Sequence, residues 1–318
     1  MATSAASPTN PQRRRGLALT EGLTAASAIA GAVGLANRSI DLGATITRRL
    51  PFESPVFGGV ALVVVVALPM AAGSLLSWRG GRRANPVAVG AGVALMGWIV
   101  VELAFIRSIS WLHPTLFLVG AAIAFAGYRG WHLTWGAAPN EVAVHLPGDA
   151  NTVPSGFHAT RAISIDAPPS AVWPWLTQVG LGRAGFYSYD SLDNRGRRSA
   201  DHVLAQFQQV HVGDVAAPMA SRPSANTSFF VASVDPERSL VWAKSDAVWA
   251  WELVPVGEGT RLVVRLRTGA DWHHPLRSLS GVALMEVGDF PLMHKMLIGI
   301  RQRAESLARA TEGEHYAA

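Results

Sequence analysis

Four apolar runs in the first 130 residues constrain this chain more than any other feature. A helix that crosses a bilayer needs roughly 20 mostly apolar residues, and it packs by different rules from a water-soluble core. Phe57–Ser77 has that length and no charge (FGGVALVVVVALPMAAGSLLS). Pro86–Ile106 carries one acid, Glu102, and Ser110–Tyr128 carries one histidine, His113. Leu17–Ala36 is rich in Ala and Gly, contains Glu21 and follows Arg13-Arg14-Arg15. That order of basic, apolar and small residues also describes a cleaved signal peptide. Glu21 within the run, and three further runs behind it, favour a retained first helix. The expected organisation is a disordered basic tail at 1–16 and four transmembrane helices (17–36, 57–77, 86–106, 110–128) within 17–130. A linker at 131–157, a sheet domain at 158–311 and a disordered tail at 312–318 follow.

Near Arg129 the pattern changes, and the charge changes with it. The whole chain has 27 Lys and Arg against 22 Asp and Glu. Residues 1–130 hold 11 Arg and 4 acids, a net +7, and residues 131–318 hold 16 basic and 18 acidic groups, a net −2. The basic excess therefore flanks the apolar runs, and the second half has no phosphate-binding footprint, so nucleic acid is not an expected partner. Arg13, Arg14, Arg15, Arg79, Arg82, Arg83 and Arg129 fall on one side of the spans, and Arg38, Arg48, Arg49 and Arg107 on the other. The excess assigns both ends to the cytoplasm of a multi-pass inner (cytoplasmic) membrane protein. Trp78, Trp111, Trp131 and Trp135 lie at span ends, where an amphipathic indole prefers the interface. Glu102 in a span suggests a proton or ion path. So apolar a bundle offers few further polar groups, which favours an interfacial Glu102 paired with Arg107 or His113. With no cysteine, disulfides, thiolate nucleophiles and cysteine metal sites are excluded.

The second half alternates with the period of strands. His158–Asp166 reads as a half-buried strand, Pro168-Pro169 ends it, and Ser170 is placed to cap the helix AVWPWLTQV. Further strands are expected at Val212–Met219, Thr227–Val234, Ser239–Lys244, Val248–Val254 and Arg261–Thr268. In the last, Leu262, Val264 and Leu266 share one face, with Arg261, Arg265 and Arg267 at or near the other. Asp235-Pro236-Glu237 and Gly257-Glu258-Gly259 join neighbours as hairpins. A long amphipathic helix closes the chain, about Gly281 to Ala310. The fold class is α+β: an antiparallel sheet gripping a long C-terminal helix, preceded by an all-α transmembrane bundle.

Three segments carry a resemblance. IDAPPSAVWPWLTQVGLGRAGFYSYDSLDN, SADHVLAQFQQVHVGD and DFPLMHKMLIGIRQRAE resemble the SRPBCC superfamily, the START, Bet v 1 and polyketide-cyclase group. The likeness is to a largely uncharacterised bacterial branch with a GRAGFYSYD-type motif, and it spans about residues 158–310. It implies a helix-grip fold with a hydrophobic ligand cavity, and it implies no activity. Ser191 stands where the branch often has Trp, and His202 where it often has Arg.

Gly180-Leu181-Gly182-Arg183-Ala184-Gly185 fits G-x-G-x-x-G, but a dinucleotide loop lies between a strand and a helix. This one follows a helix, so its glycines serve a tight turn that places Phe186, Tyr187 and Tyr189. With Asp190, Asp193 and Asp201, Arg183 and the tyrosines form the densest polar-aromatic cluster of the second half. Either they are donors at a pocket mouth, with Arg183 on a carboxylate or phosphate, or they form a structural knot with an internal Arg–Asp pair. Asp271-Trp272-His273-His274 lacks a spaced third ligand, so no metal is expected, and no cofactor motif is present. Met293 and Met296 on the last helix suit either a core or an adaptable pocket wall.

The expected ligand-binding set is Arg183, Phe186, Tyr187, Tyr189, Asp190, Asp193, Met293 and Met296. The expected partners are an apolar small molecule or lipid, and the bilayer; no protein partner is specified. The rivals are a cyclase, dehydratase or hydrolase on a hydrophobic substrate, which needs an acid–base pair not evident here, and an interaction module whose core is filled around Trp173, Trp249 and Trp251.

Overall fold

The structure is a computed structural model that describes residues 11–81, 83–151, 156–218, 224, 228–271 and 273–317. The chain divides into two compact units, the first ending at His132 and the second beginning at Leu133. Residues 1–10 of the expected basic tail, Arg82, Pro154, Met219 and Trp272 lie outside the described residues.

The first unit is helical. Helices α1 (Pro11–Ala36), α2 (Pro55–Arg79), α3 (Ala84–Ile106) and α4 (Leu112–Leu133) are each long and apolar enough to cross a membrane. Residues 11–16, expected in the tail, belong to α1. Small side chains permit close backbone approach between these helices. Gly92 of α3 shows this: a Cβ there would sit 2.5 Å from the Gly120 carbonyl oxygen of α4. Outward-facing Val, Leu and Phe stay exposed along all four helices, and Trp78 and Trp111 project at span ends. Glu102 has His113 nearby and the Trp98 indole as a hydrogen-bond partner.

The second unit is built on β1 (Phe157–Ile165), β2 (Val215–Pro218), β3 (Ser228–Asp235), β4 (Ser239–Lys244), β5 (Ala247–Val256) and β6 (Gly259–Thr268). They form one antiparallel sheet in the order β1-β6-β5-β4-β3-β2. Bulges in β3 and between β2 and β3 bend its far edge, as inserted residues do. Period-two alternation sends Leu262, Val264 and Leu266 to the inner face, with Phe157, Phe229, Leu240, Trp242, Trp249 and Trp251. Helix α6 (Pro169–Thr177) packs on that face. It is capped at Pro168 with Pro169 in its first turn, not at Ser170, since proline's fixed φ and missing N–H suit a first turn.

The closing helix is longer than its sequence pattern suggested. It starts as α8 (Pro275–Leu284), widens into a π turn at Met285–Asp289 and continues as α9 (Phe290–Ala317), past the expected end at Ala310. Met293, Met296, Leu297, Ile300 and Ala304 of α9 are buried in the main core, where α9 packs against α6 and β1. This is a helix-grip arrangement with the helix seated toward one side of the sheet.

The segment 131–157, expected as a linker, is largely folded. Residues 134–151, including α5 (Pro139–Ala143), form a strap on the sheet's outer face. Ala137, Val142 and Leu146 bury themselves on Ala162 and Val263, and the Trp135 carbonyl accepts from the edge-strand Ala162 N–H at 3.1 Å. The β6 arginines fix the strap. Arg261 makes a two-pronged pair with Glu141 (2.7 and 2.8 Å). Arg265 pairs with Asp149 and donates to the carbonyls of Val142 and Val144. Arg267 reaches the carbonyls of Gly148 and Asn151.

Candidate functional site

The GLGRAG segment leaves α6 through Gln178 and turns at once. Gly180 and Gly185 exchange backbone hydrogen bonds of 3.0 and 3.1 Å, closing a tight loop. Gly185 has φ +78°, and a Cβ there would lie 2.4 Å from Ser199 Oγ, so no other residue fits. This turn hands the chain to Phe186 and Tyr187, both buried, and holds Tyr187 at φ 56°, a conformation unusual for a bulky side chain.

Fully buried Gln178 is the hub that the turn is built around. Its Nε2 donates to Tyr187 Oη (2.9 Å) and to the His202 carbonyl, and its Oε1 accepts from Leu204 N–H (2.8 Å). Tyr187 Oη in turn donates to the Trp175 carbonyl, and Arg303 of α9 lies over the Tyr187 ring, 4.6 Å from its centre. Burial pushes the Tyr187 phenol well above its ordinary range, so it stays a neutral donor. Asp190 accepts from Ser199 Oγ and N–H, and Ser199 Oγ accepts from Tyr187 N–H. Asp193, also raised by burial, sits with Asp190 on the one-turn helix α7 (Asp190–Asp193). Ser188 Oγ donates to the Leu292 carbonyl and ties this loop to α9.

Arg183 points elsewhere. Its guanidinium donates to the carbonyls of Thr177 (2.8 Å) and Val215 (3.2 Å) and stacks 4.3 Å over the Phe207 ring. Its Nε–H is buried with no acceptor among the described residues. Burial lowers its pKa, opposed by nearby Asp214.

Beside Arg183 lies a cavity of about 330 Å³. The inner face of β2, β3 and β4 forms its floor through Ala216, Val231, Leu240 and Trp242, and Val215, Thr177 and the 206–210 segment complete its lining. It lies beyond the side that α9 covers. Met293 and Met296 of α9 belong to the expected binding set, yet no described α9 residue lines this cavity. The offset follows from α9 packing on β1 and α6, which leaves the β2–β4 end open. Of the eight expected site residues, Arg183 alone lines the cavity. Phe186, Tyr187, Met293 and Met296 belong to the main core, Asp190 and Asp193 to the loop on α9, and Tyr189 is half-exposed. Asp214, Phe207 and Trp242 were missed, although Phe207 and Asp214 fall within the QFQQVHVGD stretch that carries the family resemblance. Only Arg183 and Asp214 among the lining residues are ionisable. Trp249 and Trp251, which pack on Trp242 at 5.2 and 5.3 Å, keep buried indole N–H groups with no acceptor among the described residues. Among the described residues no cluster has the makings of a metal site.

No family model matches the sequence, and no curated protein does either. Among solved structures, the chain is similar to a polyketide cyclase-like protein of Corynebacterium glutamicum, at 16% identity over 51% of this chain and 95% of that one, with TM-score 0.26. A protein of Mesorhizobium loti is 16% identical over 46% of this chain and 97% of its own, with TM-score 0.27. CalU16 of Micromonospora echinospora is 18% identical over 48% and 86%, with TM-score 0.22.

Proposed function

We propose that this chain is a membrane-anchored binding protein for a hydrophobic small molecule or lipid, held by the sheet unit on the cytoplasmic side. The observation that carries the reading is the cavity: apolar β2–β4 side chains on its floor, with the Arg183 guanidinium and Asp214 at one place on its wall. Its volume lies at the lower end of the range for small-molecule sites, which combine apolar walls with a few placed polar groups. The ligand class that fits is an apolar body bearing one carbonyl or acidic group, placed to meet Arg183. A reaction would require a matched acid and base, and Asp214 is the single lining carboxylate. Four spans keep the binding unit beside the bilayer, where apolar compounds concentrate.

Native mass spectrometry of the purified full chain, released from detergent, tests the proposal. A co-purified apolar compound is expected, and Ala216→Phe, which fills the cavity from its floor, should abolish the adduct while leaving the melting temperature close to wild type. An adduct retained in full by a folded Ala216→Phe protein would refute this site.

A further inference from the structure

From the exposed apolar face of α8 we infer a second, non-covalent membrane contact: α8 lies in the lipid surface as an interfacial helix. Leu276, Leu279, Leu284 and Val287 are 83, 54, 71 and 68% exposed. At about 100° per residue these four positions and Ala283 fall within an arc of roughly 140°, one continuous stripe of the helix. The opposite side is seated. Ser278 is buried and donates to the Asp271 carbonyl at 2.7 Å, and Met285 packs against the main core. A stripe of this kind turned to water marks an interaction surface.

Chain connectivity selects the occupant. The last span ends at Leu133. Two residues on, the Trp135 ring packs edge-on against His294 (4.4 Å) and Phe290 (6.5 Å), in the first turn of α9. α8 joins the start of α9 through the five-residue π turn Met285–Asp289, so the stripe runs on directly from the residues that Trp135 touches. A lipid surface is thus always within reach, whatever the protein concentration. Formal charges along 275–289 are Arg277 against Glu286 and Asp289, and Asp289 is paired with Arg161. With no basic cluster, binding rests on apolar insertion and not on anionic lipid. The π turn gives the contact a mechanical link to the sheet. Asp289 holds Arg161 of β1 at 2.5 Å, so lipid seated under α8 braces the sheet through a buried ion pair.

The test uses the full chain reconstituted in vesicles of phosphatidylcholine alone. The protein contains no cysteine, so Leu276→Cys, Leu284→Cys and Val256→Cys can each carry a single fluorescent label. Val256 is exposed at the β5–β6 turn, the opposite end of β5 and β6 from Ala247 and Thr268. Labels at 276 and 284 are expected to be quenched by shallow lipid-borne nitroxide and to show several-fold less iodide quenching than the label at 256. Adding Leu279→Glu should reverse both effects at 276 with the melting temperature preserved. Iodide access at 276 and 284 equal to that at 256 would overturn the inference. So would shielding from iodide without nitroxide quenching, because a second protein copy would then cover the stripe.

Discussion

Asp149 is the residue on which the outer face of the sheet most depends. Its carboxylate accepts from Leu146 N–H, pairs with Arg265 and lies 3.7 Å from Arg267. The Arg265 side chain is only 4% exposed. Removing one partner of a buried pair leaves an uncompensated charge, at a cost of about 3–5 kcal/mol. Asp149→Ala is therefore expected to destabilise the sheet unit on that scale, read by tryptophan fluorescence during denaturation. A loss below about 1 kcal/mol would assign the pair to the class of solvent-screened surface bridges. His158, on the neighbouring strand, reports the same field. Burial first, then Arg265 and Arg267, lower its pKa from 6.5 to about 4. Between those values the unfolded chain takes up a proton that the folded one refuses, so stability falls as pH drops from 6.5 toward 4 and is unaffected by this group above 6.5. The slope approaches about 1.4 kcal/mol per pH unit for one proton. Subtracting the His158→Gln profile from wild type should isolate it; identical profiles would show that His158 titrates normally.

At the scale of elements, the strap at 134–151 behaves as part of the sheet unit and not as a tether. It covers Ala162 and Val263, caps the β1 edge through the Trp135 carbonyl and satisfies three arginines. A chain beginning at 156 would expose that apolar patch and leave Arg265 without Asp149, whereas one beginning at 134 keeps both. The longer fragment is expected to be soluble with a cooperative melt and the shorter one to aggregate; a well-folded 156–318 fragment would show the strap to be dispensable. The strap also marks what the sequence conceals. Strand alternation in RLVVRLRT gave the inner and outer faces of β6, because period two is a local property. Pro139 and Pro147, within the expected linker, start short helical turns whose purpose is set by arginines more than 100 residues later. Gln178 was invisible for the same reason: its partners at Tyr187, His202 and Leu204 come together only after the chain has turned twice. Arg183 was legible as a special arginine from its glycine-rich turn. That its neighbours would be Asp214 and Trp242 depended on where α9 settles, which no local pattern states.

For the whole molecule, the orientation of the spans decides which compartment the cavity samples. With all four candidate spans across the bilayer both ends share a side, and the short loops then carry the orienting signal because only arginines near span ends count. In that arrangement seven arginines flank the spans on the side of the termini and four on the other. Arg38 and Arg107 on the minority side occupy left-handed positions just after α1 and α3, which fixes them at those span ends. The second unit begins at Leu133, where α4 ends. Cysteines introduced singly at Ser4 and Ala317 should both resist an impermeant thiol reagent in intact cells and react once the membrane is opened. Reaction of Ala317→Cys in intact cells would invert the arrangement. The cavity would then draw its ligand from outside the cytoplasm, and the arginine asymmetry would have to yield to the long second unit as the determinant of topology.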